Sequence, residues 1–223
     1  MSKIAVIGGG SFGTVVANII ALNGHDVQFW MRSSELVSEV NEHQENKQYL
    51  PGYLLSKKVV ATASMSDAVT DASLIFVAVP SSSFREVVKQ IVVFAPDDAM
   101  LISTTKGIEP GNFKLMSQVL YEESPNSGIG VLSGPNLAKE IASKHPTGTV
   151  IASNIEQIRE TVKDVLRSDT FRVYTNDDMF GIELGGSLKN IYAIIAGLAA
   201  SIGTGHNTNS MLVTRALAEM ARF

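Results

Sequence analysis

Three groups of residues in this 223-residue chain could do chemistry. The first is a set of glycines: "VIGGGSFGT" places Gly8, Gly10 and Gly13 in a G-x-G-x-x-G spacing. In such a turn the first glycine permits the tight reversal, the second lets the backbone approach a pyrophosphate, and the third lets a helix pack closely on a strand. The second group is two lysines in unusual settings. Lys106 stands in "STTKGIE" behind an apolar run, and Lys189 stands in "ELGGSLKNIYAIIAGLAA", one turn in from a glycine pair. A buried ammonium loses several kcal/mol of hydration unless it is paired, so Lys189 needs a partner, a route to water or a role. The third is Arg32, with Ser33 and Ser34 beside it, in the place where an Asp or Glu would select a ribose 2′-hydroxyl. A guanidinium suits a 2′-phosphate or stacks on adenine, which predicts a site that accepts NADP alongside NAD.

These residues matter only if regular elements place them. The glycines directly follow the β-branched run "KIAVIG" and open the helical pattern "FGTVVANIIALNG". The alternation continues through "DVQFW", "SLIFVAVP", "SSFREVVKQIVVFAP", "AMLIST", "GIGVLSGP", "GTVIAS", "NIEQIRETVKDVLRS" and "FRVYT". Strands apolar on both faces and separated by helices predict an α/β fold with a parallel sheet covered on both sides. Beyond about residue 176 no strand is legible, and helices joined by "GTGHNTNS" take over. The predicted division is a dinucleotide-binding domain over 1–176 and an all-helical segment over 177–223.

On this plan Lys106 and Gly134 each follow a strand, and so reach the carboxyl edge of the sheet, where such folds bind ligands. Pro80 ends another strand in a serine cluster, with Ser81 or Ser82 expected to cap the next helix. The helix after Gly134 and Pro135 offers N-terminal N–H groups to an anion. Lys139 and Glu140 read as solvated surface, and His25 and His206 as loop residues without a catalytic role.

Net charge is −4 with no extended basic stretch, which argues against a nucleic-acid partner. Without cysteine there are neither disulfides nor thiolate chemistry, and no metal site is read. The N-terminal apolar run is broken at once by glycines, unlike a signal peptide, and Ile191 to Ile202 is too short to span a bilayer. A cytoplasmic protein with no membrane insertion is expected. "TRALAEMARF" is an amphipathic helix with neither cap nor stop, and reads as the end of a chain cut short.

Together "GGGSFGT", "YLPG", "VAVPS", "STTKGIE", "LSGPNLAKE" and "IELGGSLKNIYAIIAGLAASIGTGHNTNSMLVTRALAEMAR" resemble the bacterial type of NAD(P)-dependent glycerol-3-phosphate dehydrogenase, in order and over the whole chain. The resemblance implies a Rossmann-type doubly wound sheet followed by the start of a helical substrate domain. It implies reversible reduction of dihydroxyacetone phosphate to sn-glycerol 3-phosphate, a precursor of glycerophospholipids. By the same resemblance Ser11, Phe12, Arg32, Lys106 and Ala138 match cofactor contacts, as do Ser33 and Tyr49. Lys106, Gly134 and Asn136 match substrate positions, and Lys189 matches the proton donor or acceptor, with Asn190 beside it. That role suits lysine, since a donor near the oxygen that gains charge accelerates such a step, and burial beside a second cation lowers a lysine pKa. Gly185 and Gly186 leave room against the helix for nicotinamide and substrate.

The sequence departs from the family pattern at Asn136 and Leu137, where Ser or Thr and Phe are usual; the carboxamide of Asn136 can still donate to a phosphate or hydroxyl. His206 and Thr208 stand where an acidic residue and an alanine are expected. The resemblance also implies further helices beyond Phe223 with an Arg-Asn element for the substrate phosphate, so this chain is expected to bind dinucleotide and to turn over poorly. Family members are often dimeric, and a homodimer is the implied partner state. Rival readings are a 3-hydroxyacid dehydrogenase, a ketopantoate reductase, or a non-catalytic dinucleotide-binding fragment; "GGSLKN" and "STTKGIE" favour the glycerol phosphate enzyme.

Overall fold

The computed structural model describes residues 3–222. Eight strands form one sheet: β1 (Lys3–Ile7), β2 (Val27–Trp30), β3 (Val59–Thr62), β4 (Ala72–Val77), β5 (Met100–Ser103), β6 (Gly128–Ser133), β7 (Thr147–Ala152) and β8 (Phe171–Asn176). Their order across the sheet is β3-β2-β1-β4-β5-β6-β7-β8. The chain starts in the middle, works outward to β3 and then restarts at β4, so the order reverses between β1 and β4. That reversal opens a crevice at the carboxyl edge.

Alternate residues of a strand face opposite sides, and both sides are buried here. Ile4 and Val6 enter one core with α1 (Ser11–Leu22) and α7 (Glu156–Leu166). Ala5 and Ile7 enter the other with α3 (Met65–Val69), α4 (Phe84–Val92) and α5 (Met116–Glu123). The helices carry the matching stripe: α4 buries Phe84, Val87, Val88 and Ile91, and α7 buries Ile158, Val162, Val165 and Leu166. Another helix of this half, α2 (Ser34–His43), is capped by Ser33, whose Oγ accepts from the Leu36 N–H at 3.3 Å.

The sheet is mostly parallel, but the expected parallel run does not extend to its end. β7 is antiparallel to β6, with Ser133 opposite Val150, and β8 is then parallel to β7. A parallel neighbour needs a crossover, usually helical, that carries the chain back across the sheet. The link after β6 holds only the five-residue α6 (Ala138–Ala142), and β7 therefore starts from the edge where β6 ended. The serine cluster also differs from expectation. Ser81–Ser83 form a short 3₁₀ turn in which the Ser83 hydroxyl donates to the Pro80 carbonyl, and α4 has no side-chain cap. Ser81 instead packs under Gly107, where an added Cβ would lie 2.8 Å from its Oγ.

After β8 the chain is helical. Asp178 caps α8 (Met179–Ser201) by accepting from the Gly181 N–H at 2.8 Å, and α9 (His206–Met220) folds back against α8. The first half of α8 is docked on the sheet domain, whereas Ile194 and Leu198 further along are 72% and 63% exposed. Among the described residues no helix is long and apolar enough to cross a membrane.

Candidate functional site

The turn between β1 and α1 shows what each glycine does. Gly8 has φ +126°, and a Cβ there would lie 2.3 Å from the Ala78 carbonyl oxygen, across the β1–β4 crevice. A Cβ on Gly13 would lie 2.0 Å from the Gly8 carbonyl oxygen, so the first turn of α1 can approach β1 only with a glycine there. Gly10 differs: its φ is −75°, and no atom lies within 4 Å of an added Cβ. It borders open space. The N–H groups of Gly10 and Ser11 have no backbone acceptor among the described residues. Closed faces at Gly8 and Gly13 and an open face at Gly10, together with free donors at a helix N-terminus, fit a dinucleotide pyrophosphate.

The rest of the carboxyl edge is set out around that turn. A cavity of about 280 Å³ is lined by Phe12, Pro80, Thr104, Thr105, Lys106 and Asn136, among others, so it runs from the start of α1 to the loops after β4, β5 and β6. Arg32 and Ser33 follow β2, which pairs with β1, and Arg32 is exposed. Ser33 is occupied as the α2 cap and also donates to Glu35 at 2.5 Å. Tyr49 reaches the glycine turn through its backbone: its carbonyl accepts from the Ser11 hydroxyl at 2.8 Å. Ala138 opens α6, which packs against α1.

At the other end of the cavity, two lysines meet. The Lys106 Nζ donates to the Gly134 carbonyl at 3.0 Å, and the Lys189 Nζ donates to the same oxygen at 3.2 Å. Lys189 thus has a partner and is half-buried rather than enclosed. The Lys106 pKa is brought down to about 8, first by burial and then by the Lys189 charge. Asn190 is exposed on the following helical position.

Two contacts that sequence reasoning missed bring Lys189 there. Gly186 crosses over Ser133 so closely that a Cβ would lie 2.5 Å from the serine Oγ. One turn earlier, the buried Glu183 accepts from the Ser117 N–H at 3.0 Å and the Ser117 hydroxyl at 2.5 Å. Leu115 precedes α5 and has no side-chain acceptor, so Glu183 supplies that helix with its cap from α8. Burial raises the Glu183 pKa, opposed by these hydrogen bonds.

The loop that follows Lys106 is tied down by Arg85 on α4, which donates to Glu109 at 2.6 and 2.8 Å and also binds Glu122 and Glu123. The guanidinium holds the Glu109 carboxyl down at about 2. Asn136 is oriented by Thr149, whose hydroxyl donates to the Ser133 carbonyl at 3.1 Å and therefore accepts from the Asn136 amide at 2.8 Å. The Asn136 amide nitrogen thus bonds to Thr149, and its Oδ1 is buried without a partner among the described residues. One donor of the amide expected to face a phosphate is therefore engaged by Thr149.

This arrangement defines a Rossmann-type α/β protein with a cationic pair at its carboxyl edge. Residues 3–159 match the family described as NAD-dependent glycerol-3-phosphate dehydrogenase N-terminus, and residues 178–223 match its C-terminus. The glycerol-3-phosphate dehydrogenases [NAD(P)+] of Alcanivorax borkumensis and Teredinibacter turnerae are 54% and 50% identical over 98% and 99% of this chain. The chain spans 64% and 65% of their lengths. The crystal structure of glycerol-3-phosphate dehydrogenase from Coxiella burnetii superposes with a TM-score of 0.92 at 35% identity, covering 99% of this chain and 68% of that one. The chain belongs to the NAD-dependent glycerol-3-phosphate dehydrogenase family.

Proposed function

We propose that the protein interconverts dihydroxyacetone phosphate and sn-glycerol 3-phosphate with NADPH or NADH, feeding glycerophospholipid synthesis. The observation that carries this reading is the convergence of the Lys106 and Lys189 ammonium groups on the Gly134 carbonyl, beside a cavity that begins at the glycine turn. Two like charges on one acceptor repel each other, and an anionic or oxygen-rich ligand between them relieves that repulsion. The relatives' names point to the same chemistry.

In this reading, residues 1–176 hold the dinucleotide and residues 177–223 form the first part of the substrate domain. Gly8, Gly10 and Gly13 shape the pyrophosphate seat, with Ser11 and Phe12 at the helix start; Arg32 and Ser33 lie toward the ribose, and Tyr49 and Ala138 flank the turn. Nicotinamide dinucleotide, when bound, supplies or accepts the hydride. Lys106 and Lys189 then offset the negative charge that develops on the substrate carbonyl oxygen, and Lys189 gives that oxygen its proton. Gly134, Asn136 and Asn190 border the substrate. A cytoplasmic location belongs to the same proposal, as does a homodimer with its contact on the exposed apolar face of α8 and α9.

The test is the oxidation of NADPH and NADH with three substrates: dihydroxyacetone phosphate, ketopantoate and a 3-oxoacid. Activity confined to dihydroxyacetone phosphate supports the proposal. A preference for either of the others reassigns the substrate, and dinucleotide binding without turnover of any leaves a binding fragment.

A further inference from the structure

Asn46 lies in the loop between α2 and β3, is fully buried, and is 32 residues from the nearer of its two side-chain partners. Its amide nitrogen donates to the Gly9 carbonyl at 2.9 Å and to the Thr14 hydroxyl at 2.8 Å. The Thr14 hydroxyl, fully buried as well, donates onward to the Gly10 carbonyl at 2.8 Å. The backbone of the same loop closes the ring: the Asn46 carbonyl accepts from the Leu50 N–H at 2.8 Å, and the Tyr49 carbonyl accepts from the Ser11 hydroxyl at 2.8 Å.

All peptide bonds of the described residues are trans. In a trans peptide the carbonyl and the next N–H point in opposite directions. Drawing the Gly9 carbonyl inward to Asn46 therefore turns the Gly10 N–H outward. The Gly10 carbonyl is likewise drawn inward, by the Thr14 hydroxyl and by the Thr14 N–H at 3.0 Å together, which turns the Ser11 N–H outward. Neither donor has a backbone acceptor among the described residues, and an added Cβ on Gly10 would meet open space.

We propose that Asn46, acting through Thr14, is a positioning residue that sets the peptide planes of the glycine turn so that the Gly10 and Ser11 N–H groups face the cofactor. The inference rests on the dinucleotide reading given above. An independent feature supports it: the Asn46 Oδ1 is buried with no partner among the described residues. An unpaired buried acceptor is costly, so an asparagine whose function was packing alone would be better replaced by an apolar side chain. Its two donated bonds are what distinguish it.

The test is the dissociation constant for NADPH, followed by nicotinamide fluorescence on the 223-residue chain well below its melting temperature. Asn46→Leu keeps the heavy-atom branching, adds no charge and removes both donated bonds; it is expected to weaken binding about tenfold, the effect of one or two orienting hydrogen bonds. Thr14→Val removes the hydroxyl that accepts from Asn46, keeps the Thr14 N–H bond to Gly10 and is expected to weaken binding severalfold, while Thr14→Ser restores the hydroxyl and the affinity. The Thr14 pair decides the matter if Asn46→Leu does not fold, since valine is nearly isosteric with threonine. Folded Asn46→Leu or Thr14→Val with wild-type affinity would overturn the proposal and leave the dinucleotide reading standing. Absence of NADPH binding by the wild-type chain would overturn both.

Discussion

Lys106 and Lys189, 83 positions apart in sequence, place their ammonium groups on one carbonyl oxygen, at 3.0 and 3.2 Å. Burial and the neighbouring charge bring the Lys106 pKa to about 8. Lys106 is therefore cationic below that pH and loses its charge as pH rises through it. Affinity for a phosphate-bearing substrate should fall across that range and level off above it. In Lys106→Met the affinity should be weak throughout and the inflection near pH 8 absent. A KM against pH profile for both proteins checks this, and an inflection that survives in Lys106→Met would exclude Lys106 as its origin.

Gly10 and Gly13 should respond oppositely to the same change. In Gly13→Ala the new methyl meets the Gly8 carbonyl oxygen at 2.0 Å, and overpacking of this kind costs about 1–3 kcal/mol. The melting temperature should fall by several degrees. In Gly10→Ala nothing is met and φ is ordinary, so the fold should hold while the methyl obstructs the cofactor. Thermal melts paired with NADPH titrations separate the two effects.

Arg32→Ala should weaken NADPH about tenfold, the scale of one charge-assisted hydrogen bond, and leave NADH nearly unchanged. Equal losses for both cofactors would assign Arg32 to the adenine rather than to the 2′-phosphate.

Glu183→Ala leaves the buried Ser117 N–H and hydroxyl without their acceptor, and stability should drop by about 1–3 kcal/mol. Glu183→Gln keeps one acceptor and should cost less. The carboxyl pKa is raised on folding, so the folded state holds this proton more tightly than the unfolded chain. Stability from this group accordingly falls as pH rises above its ordinary 4.5. Denaturant melts at several pH values should show that slope in wild type and its loss in Glu183→Gln.

What was legible in the sequence is what local geometry imposes on residue type. Gly8 and Gly13 are glycines because a Cβ has no room, and Lys106 and Gly134 could be put at the carboxyl edge because each directly follows an apolar strand. Strand direction was not legible: "GTVIAS" has the same apolar pattern whether it runs with β6 or against it, and only the short link around α6 decides. Nor was β3 legible, with just four residues and an exposed Val60 at its centre. The meeting of the two lysines depends on how α8 docks, through Gly186 on Ser133 and Glu183 on Ser117. Those contacts join segments too distant for any periodicity to link. Asn46 was missed for the same reason, since a polar loop residue gives no sign that its partners are Gly9 and Thr14.

The most direct test of the account is NADPH oxidation driven by dihydroxyacetone phosphate, measured side by side for the wild-type chain and Lys189→Met, with NADPH affinity determined for both. The ratio of rates carries the result, whatever the absolute turnover. The account predicts a loss of about 10²- to 10⁴-fold, the range for removing a general acid, at unchanged NADPH affinity. Undiminished turnover in Lys189→Met would contradict it.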